Sequence, residues 1–158
     1  MEFNREILTT IIEKVRQSCF EDKIGGPFGA FVFKDDEIIG VGVNSVLGLN
    51  DPTAHAEIMA IRDACKRLGT HDLTGYEIYA TGFPCPMCMS AIIWANIKKV
   101  YYSADYKDAQ DIGFRDSYIY NFIRDGQKDV KVLELNQVDK SSIIELYQDF
   151  KQKNGEIY

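Results

Sequence analysis

His55-Ala56-Glu57 and Pro84-Cys85-Pro86-Met87-Cys88 constrain this chain more than any other stretch of it. They supply one imidazole, one carboxylate and two thiols, and the Cys-x-x-Cys spacing suits a pair that grips a single ion. One His and two Cys make three protein ligands, which leaves a tetrahedral zinc ion with a fourth position for water. A fold that uses these residues together must bring two distant segments to one point. Glu57 then serves that water as base and acid rather than as a fourth ligand.

The surrounding pattern shows how the segments could meet. Residues 4–20 place Ile7, Leu8, Ile11, Ile12, Val15 and Cys19 at helical spacing. Gly25-Gly26-Pro27 ends that pattern, and 28–33 and 38–43 read as hairpin strands joined at Lys34-Asp35-Asp36-Glu37. After Asn50-Asp51-Pro52, Thr53 is the expected N-cap of a helix reaching Leu68 and stopped by Gly69. A strand at 76–80, a helix at 86–95 and a strand at 99–103 follow. The tail reads as a helix near 116–124, a strand near 130–135 and a last helix. That helix opens on a Ser142/Glu145 capping box and ends near Asn154-Gly155. A hairpin followed by strand–helix alternation predicts a three-layer α/β/α sandwich with a mixed five-stranded sheet.

On this reading both ligand sets fall at helix starts. Cys85 and Cys88, three residues apart, share a helix face. The positive ends of the two helix dipoles favour thiolate over thiol. Pro84 and Pro86 restrict the backbone on either side of Cys85 and reduce the entropy lost in ordering the site.

Charge and length narrow the partners. The net charge of −6 repels a polyanion, and the basic pairs Lys66-Arg67 and Lys98-Lys99 form no stripe. The expectation is a small uncharged substrate and no nucleic acid. No apolar run approaches the ~20 residues of a membrane-spanning helix, so no membrane partner is expected either. The opening MEFNREILTT carries an early acid and lacks the apolar stretch of a secretory signal, which predicts a cytoplasmic protein. One domain is expected from 158 residues, and four cysteines do not suggest a disulfide framework.

The other candidates have plainer readings. A Cys-x-x-Cys pair can be a redox couple or half a structural zinc site. A thioredoxin-like pair, however, should follow the first strand of a βαβ unit, and this one lies past mid-chain. Cys19 and Cys65 extend apolar helix stripes as small hydrophobes, and His71 sits in a polar turn. Taken alone, Phe28 and Trp94 read as core aromatics, Asn44 and Asp116 as turn or cap residues, and Tyr158 as a chain end.

The His-x-Glu and Pro-Cys-x-x-Cys pair resembles the signature of zinc-dependent nucleobase deaminases. The chain as a whole resembles the cytidine-deaminase-like superfamily, most closely its small bacterial guanine deaminases. The likeness runs nearly end to end, through Gly25–Ala30, Asn50–Glu57, Ala60-Ile61-Arg62, Ala64-Cys65-Lys66, Pro84–Cys88, Trp94-Ala95, Gly113-Phe114, Asp116-Ser117 and Ile119-Tyr120. It implies that His55, Cys85 and Cys88 bind one zinc ion per subunit and that Glu57 shuttles protons. It implies further that Asp116 assists the departing amino group, that Asn44 and the Ala56 backbone bind the purine, and that Phe28 and Trp94 sandwich it. Tyr158 would close the pocket. A homodimer exchanging its C-terminal segment, about 137–158, is implied as well, with guanine converted to xanthine and ammonia. Another base, a nucleoside or an aminotriazine is the alternative substrate; a tRNA adenosine deaminase and a non-enzymatic zinc module rank lower. The chain departs from many relatives at Phe83, where they carry an acidic residue.

Overall fold

The opening apolar stripe forms α1 (Arg5–Arg16) in the computed structural model, which describes Phe3 and residues 5–158. Asn4, the expected first residue of this helix, lies outside the described residues. Ile11 and Val15 are buried along the stripe. The helix then widens into a π-type turn, Gln17–Glu21, closed by the Asp22 N–H on the Gln17 carbonyl. Strands β1 (Gly29–Lys34) and β2 (Glu37–Val43) make the expected antiparallel hairpin. Its turn places Asp35 at φ 52°, a left-handed conformation that Asp tolerates better than most residues.

A short helix, α2 (Val46–Leu49), precedes α3 (Ala56–Leu68); then come β3 (Glu77–Gly82), α4 (Pro86–Trp94) and β4 (Val100–Ala104). Gly69, at φ 67°, ends α3 as expected. The sheet order is β2-β1-β3-β4, with β1–β3 antiparallel and β3–β4 parallel. Alternation along the central strands separates two cores. Phe31, Phe33 and Tyr79 face α1 through Ile11, joined by Phe3 and Tyr101. Ala30, Val32, Ile78 and Ala80 face the other way, against Ala56, Ala60 and Ala64 of α3 and Ile92 of α4. The three-layer α/β/α arrangement follows from those two faces.

Among the described residues the sheet has four strands, not five. Residues 130–132 turn and 133–135 join no strand, because the Asp129 carbonyl accepts the N–H groups of both Val132 and Leu133 and its carboxylate accepts that of Lys131. A local acceptor has outcompeted the ladder. Two caps also differ from expectation. The Thr53 hydroxyl and N–H are both taken by Asp51, so α3 begins at Ala56 with His55 as its N-cap. The last helix starts earlier than expected, since Asp139 accepts the Ser142 N–H and caps α7 (Lys140–Gln152). The tail also holds α5 (Tyr106–Asp111), which sequence periodicity does not reveal, and α6 (Ser117–Arg124). The α5 signal is an Asp105/Asp108 capping box, with Asp in the place usually held by Glu or Gln.

The chain divides into two compact units, Met1–Tyr120 and Asn121–Tyr158. The first holds the sheet and both metal-ligand segments. The second holds the end of α6 and α7, whose apolar residues Ile143, Leu146 and Phe150 are exposed. Among the described residues, no helix is long and apolar enough to cross a membrane.

Candidate active site

Small residues set the position of α3. A Cβ on Gly40 would stand 2.5 Å from the Ala60 carbonyl oxygen, and one on Gly42 only 2.8 Å from the Met59 Cβ. The helix can lie this close to β2 because both positions lack a side chain. Ala56, Ala60 and Ala64 are fully buried at the contact. The start of α3 is thereby held against the sheet, with His55 and Glu57 on it.

His55 is an N-cap in extended conformation whose ring takes no part in capping. Cys85 occupies the same position on α4, with Pro86 next and the Cys88 N–H directed at the Cys85 Sγ from 3.5 Å. The His55 Nδ1 lies 3.5 Å from the Cys85 Sγ and 3.6 Å from the Cys88 Sγ. All three donor atoms lie within 4.8 Å of one another. Tetrahedral bonds of ~2.3 Å to sulfur and ~2.05 Å to nitrogen separate N and S by about 3.6 Å. The donor set and its spacing therefore fit a zinc ion.

The two thiols are shifted in opposite directions. Cys85 is lowered to about 4 because Cys88 and His55 hydrogen-bond to its thiolate, against the opposing pull of burial. Cys88 is pushed up because its proton is held by that thiolate. Glu57 is buried at 7% exposure, with its Oε2 3.5 Å from the Cys88 Sγ. Burial raises its pKa above the ordinary carboxylate value. Burial raises Asp116 as well, with the Cys85 charge adding to it.

These groups line a cavity of about 380 Å³, within the range of small-molecule sites. Phe28, Asn44, Ala56 and Asp116 line it together with His55, Glu57 and Cys85. Asn44 is buried; its N–H donates to the Phe28 carbonyl and its Oδ1 accepts the Val46 N–H. The Ala56 N–H, in the first turn of α3, has no acceptor within the helix. Two further lining residues carry no role that the sequence suggests. Phe114 meets Phe28 edge-on with centroids 4.9 Å apart, and Phe83 packs edge-on against Tyr102 at 5.0 Å. Phe114 belongs to a motif and Phe83 to a departure from one, but neither lies on a periodic face that would show its direction.

Trp94 does not line the cavity of its own chain. It is 67% exposed at the end of α4, two residues past buried Ile92 and so turned by about 200° from the core face. Tyr158 belongs to the second unit and is exposed. Cys65 packs partly buried against the core, and burial pushes its thiol up, as suits an inert residue. Near the site, Tyr120 donates its hydroxyl to the Pro84 carbonyl at 2.7 Å, and burial pushes its pKa up to about 12.

Residues 1–104 match the cytidine and deoxycytidylate deaminase zinc-binding region, and the chain belongs to that family of zinc-binding deaminase domains. It is similar to the guanine deaminase of Bacillus subtilis (strain 168), at 54% identity over 100 residues that make up 63% of this chain and 64% of that protein. A solved guanine deaminase structure from Bacillus subtilis superposes with a TM-score of 0.87 at 39% identity, covering 99% of each chain. The tRNA-specific adenosine deaminase of Aquifex aeolicus (strain VF5) is 51% identical over 78 residues, 49% of this chain and 52% of that protein. The aligned stretches thus span between half and two-thirds of those two relatives in sequence.

Proposed function

We propose that the protein hydrolyses guanine to xanthine and ammonia. The observation that carries this reading is the likeness to a guanine deaminase structure over 99% of both chains, second unit included. A tRNA:A34 deaminase structure matches only 64% of this chain, with a TM-score of 0.58, and the −6 charge repels a polyanion overall.

His55, Cys85 and Cys88 would hold zinc, which when bound would supply an activated water as nucleophile near neutral pH. The chain's own groups handle the protons and the base. Asn44 spends its Oδ1 on Val46, which leaves its NH₂ to donate to the purine. The Ala56 N–H is a second donor, and Phe28 offers one aromatic face. Glu57 takes a proton through its carboxylate oxygens as water adds to C2, then returns it to the ring. Its raised pKa suits both halves of that exchange. Asp116 delivers a proton to the departing amino group and is reprotonated by the proton that the new C2 hydroxyl loses as it becomes a carbonyl. The C2–N bond breaks, a C2–O bond replaces it, and ammonia and xanthine leave.

The exposed apolar residues of α7 and the exposed Trp94 support a homodimer that exchanges residues 137–158, with Tyr158 and Trp94 acting across it. Sedimentation analysis tests this; a monomer at micromolar concentration rejects it. A panel of free bases, nucleosides, aminotriazines and a tRNA anticodon hairpin, scored by ammonia release, tests the substrate. Guanine should be turned over with the highest kcat/KM. Preference for the hairpin would overturn the reading.

A further inference from the structure

Tyr120 touches two parts of the site at once. Its hydroxyl donates to the Pro84 carbonyl, and its backbone N–H donates to the Asp116 carbonyl at 3.3 Å. Pro84 is fully buried and peptide-bonded to the metal-ligand residue Cys85. The segment between β3 and α4 has no ladder of its own at Pro84. It is pinned beforehand by the Phe83 N–H on the Ala104 carbonyl and afterwards by the Met89 N–H on the Cys85 carbonyl. The Tyr120 hydroxyl supplies the hydrogen bond in between. Without it a carbonyl shut away from water loses its donor, and the peptide carrying Cys85 is driven to rotate in search of another.

We infer that Tyr120 is a positioning residue, which fixes the Cys85 loop and the start of α6 in one frame and so sets the distance between the thiolate ligand and Asp116. It works through those two residues and needs no contact with substrate. The Cys85 half of the inference stands on the donor geometry; the Asp116 half rests on the proposed role of Asp116 in proton delivery. Outer-shell partners of this kind typically change metal affinity or activity by ~10–100-fold when removed.

The test uses full-length, zinc-loaded protein and reads zinc release into a chromogenic chelator. Tyr120→Phe keeps the ring and removes the donor; release should accelerate by roughly 10-fold, and kcat for guanine should fall by a similar factor with KM within about twofold. Tyr120→p-aminophenylalanine restores a donor at the same place and should bring release back to within about twofold of the parent, whether or not the Phe variant accumulates as folded protein. In an Asp116→Asn background, Tyr120→Phe should slow turnover much less than it does alone while still accelerating release. Parental release from Tyr120→Phe, or fast release from the amino variant, overturns the inference, and so does a lowered Tm with release unchanged. If Asp116→Asn turns over normally while Tyr120→Phe still releases zinc quickly, only the Asp116 reading fails.

Discussion

Gly42→Ala tests whether the contact of α3 with β2 positions the metal ligands. A Cβ at Gly42 would stand 2.8 Å from the Met59 Cβ and closer still to the Ala56 carbonyl oxygen and the Ala60 nitrogen. Ordinary contact begins at 3.4 Å, so relieving the tightest of these clashes requires the helix to retreat by roughly 1 Å. Backbone atoms of a buried helix cannot yield as a flexible side chain would. Overpacking of this kind typically costs about 1–3 kcal/mol. For a chain of this length that is a fall in Tm of roughly 2–4 °C per kcal/mol. The displaced end of α3 carries His55 and Glu57, whereas Cys85 and Cys88 sit on α4. A misplacement approaching 1 Å can cost up to ~100-fold in rate, so a loss of about 10-fold in kcat/KM is expected, with weakened zinc retention. Urea unfolding, zinc content after dialysis and ammonia release measure the three effects. Parental stability, zinc content and turnover together would refute the claim that β2 sets the position of α3.

Glu57→Gln should retain zinc, since the ligands remain, while kcat falls by ~10²–10⁴-fold; near-normal turnover would remove Glu57 from the mechanism. Asp116→Asn should lower kcat more than it raises KM, and an effect on KM alone would make Asp116 a binding group. Asp63 gives a pH prediction. Burial pulls its pKa up, but the Val41 N–H and Arg67 outweigh it and hold the carboxyl below its ordinary value of 3.8. A depressed folded-state pKa contributes stability above the unfolded value and loses it as pH falls through the folded one. Asp63→Asn should therefore be less stable at neutral pH, and the gap from the parent should close below about pH 4; a constant gap contradicts this. Chelation should lower Tm, and zinc restored at about 100 times its Kd should return roughly 2.7 kcal/mol.

Helix periodicity, strand alternation and the paired motifs make most of this protein legible in its amino-acid order. Alternating Phe31, Phe33 and Tyr79 against Ala30, Val32 and Ala80 had to serve two faces, because successive strand residues point in opposite directions. The ligand set is legible because its chemistry depends on residue type and short spacing: His55 with Glu57, and Cys85 with Cys88. Local competition for hydrogen bonds overrides those signals elsewhere. Asp51 takes the Thr53 cap, Asp139 moves the start of α7, and Asp129 turns the expected fifth strand.

Tertiary structure alone decided the distances between segments. That Nδ1 of His55 stands 3.5–3.6 Å from both thiols depends on Gly40 and Gly42 letting α3 rest on the sheet, and a glycine's neighbour across a layer leaves no local trace in the chain. The same holds for Tyr120, whose donor role depends on a carbonyl far away in sequence, and for Trp94, whose outward direction follows from which face of α4 the core claimed. Residue types determined what chemistry the chain could support. Long-range packing determined where that chemistry sits, because close contact between layers is a property of pairs that only folding brings together.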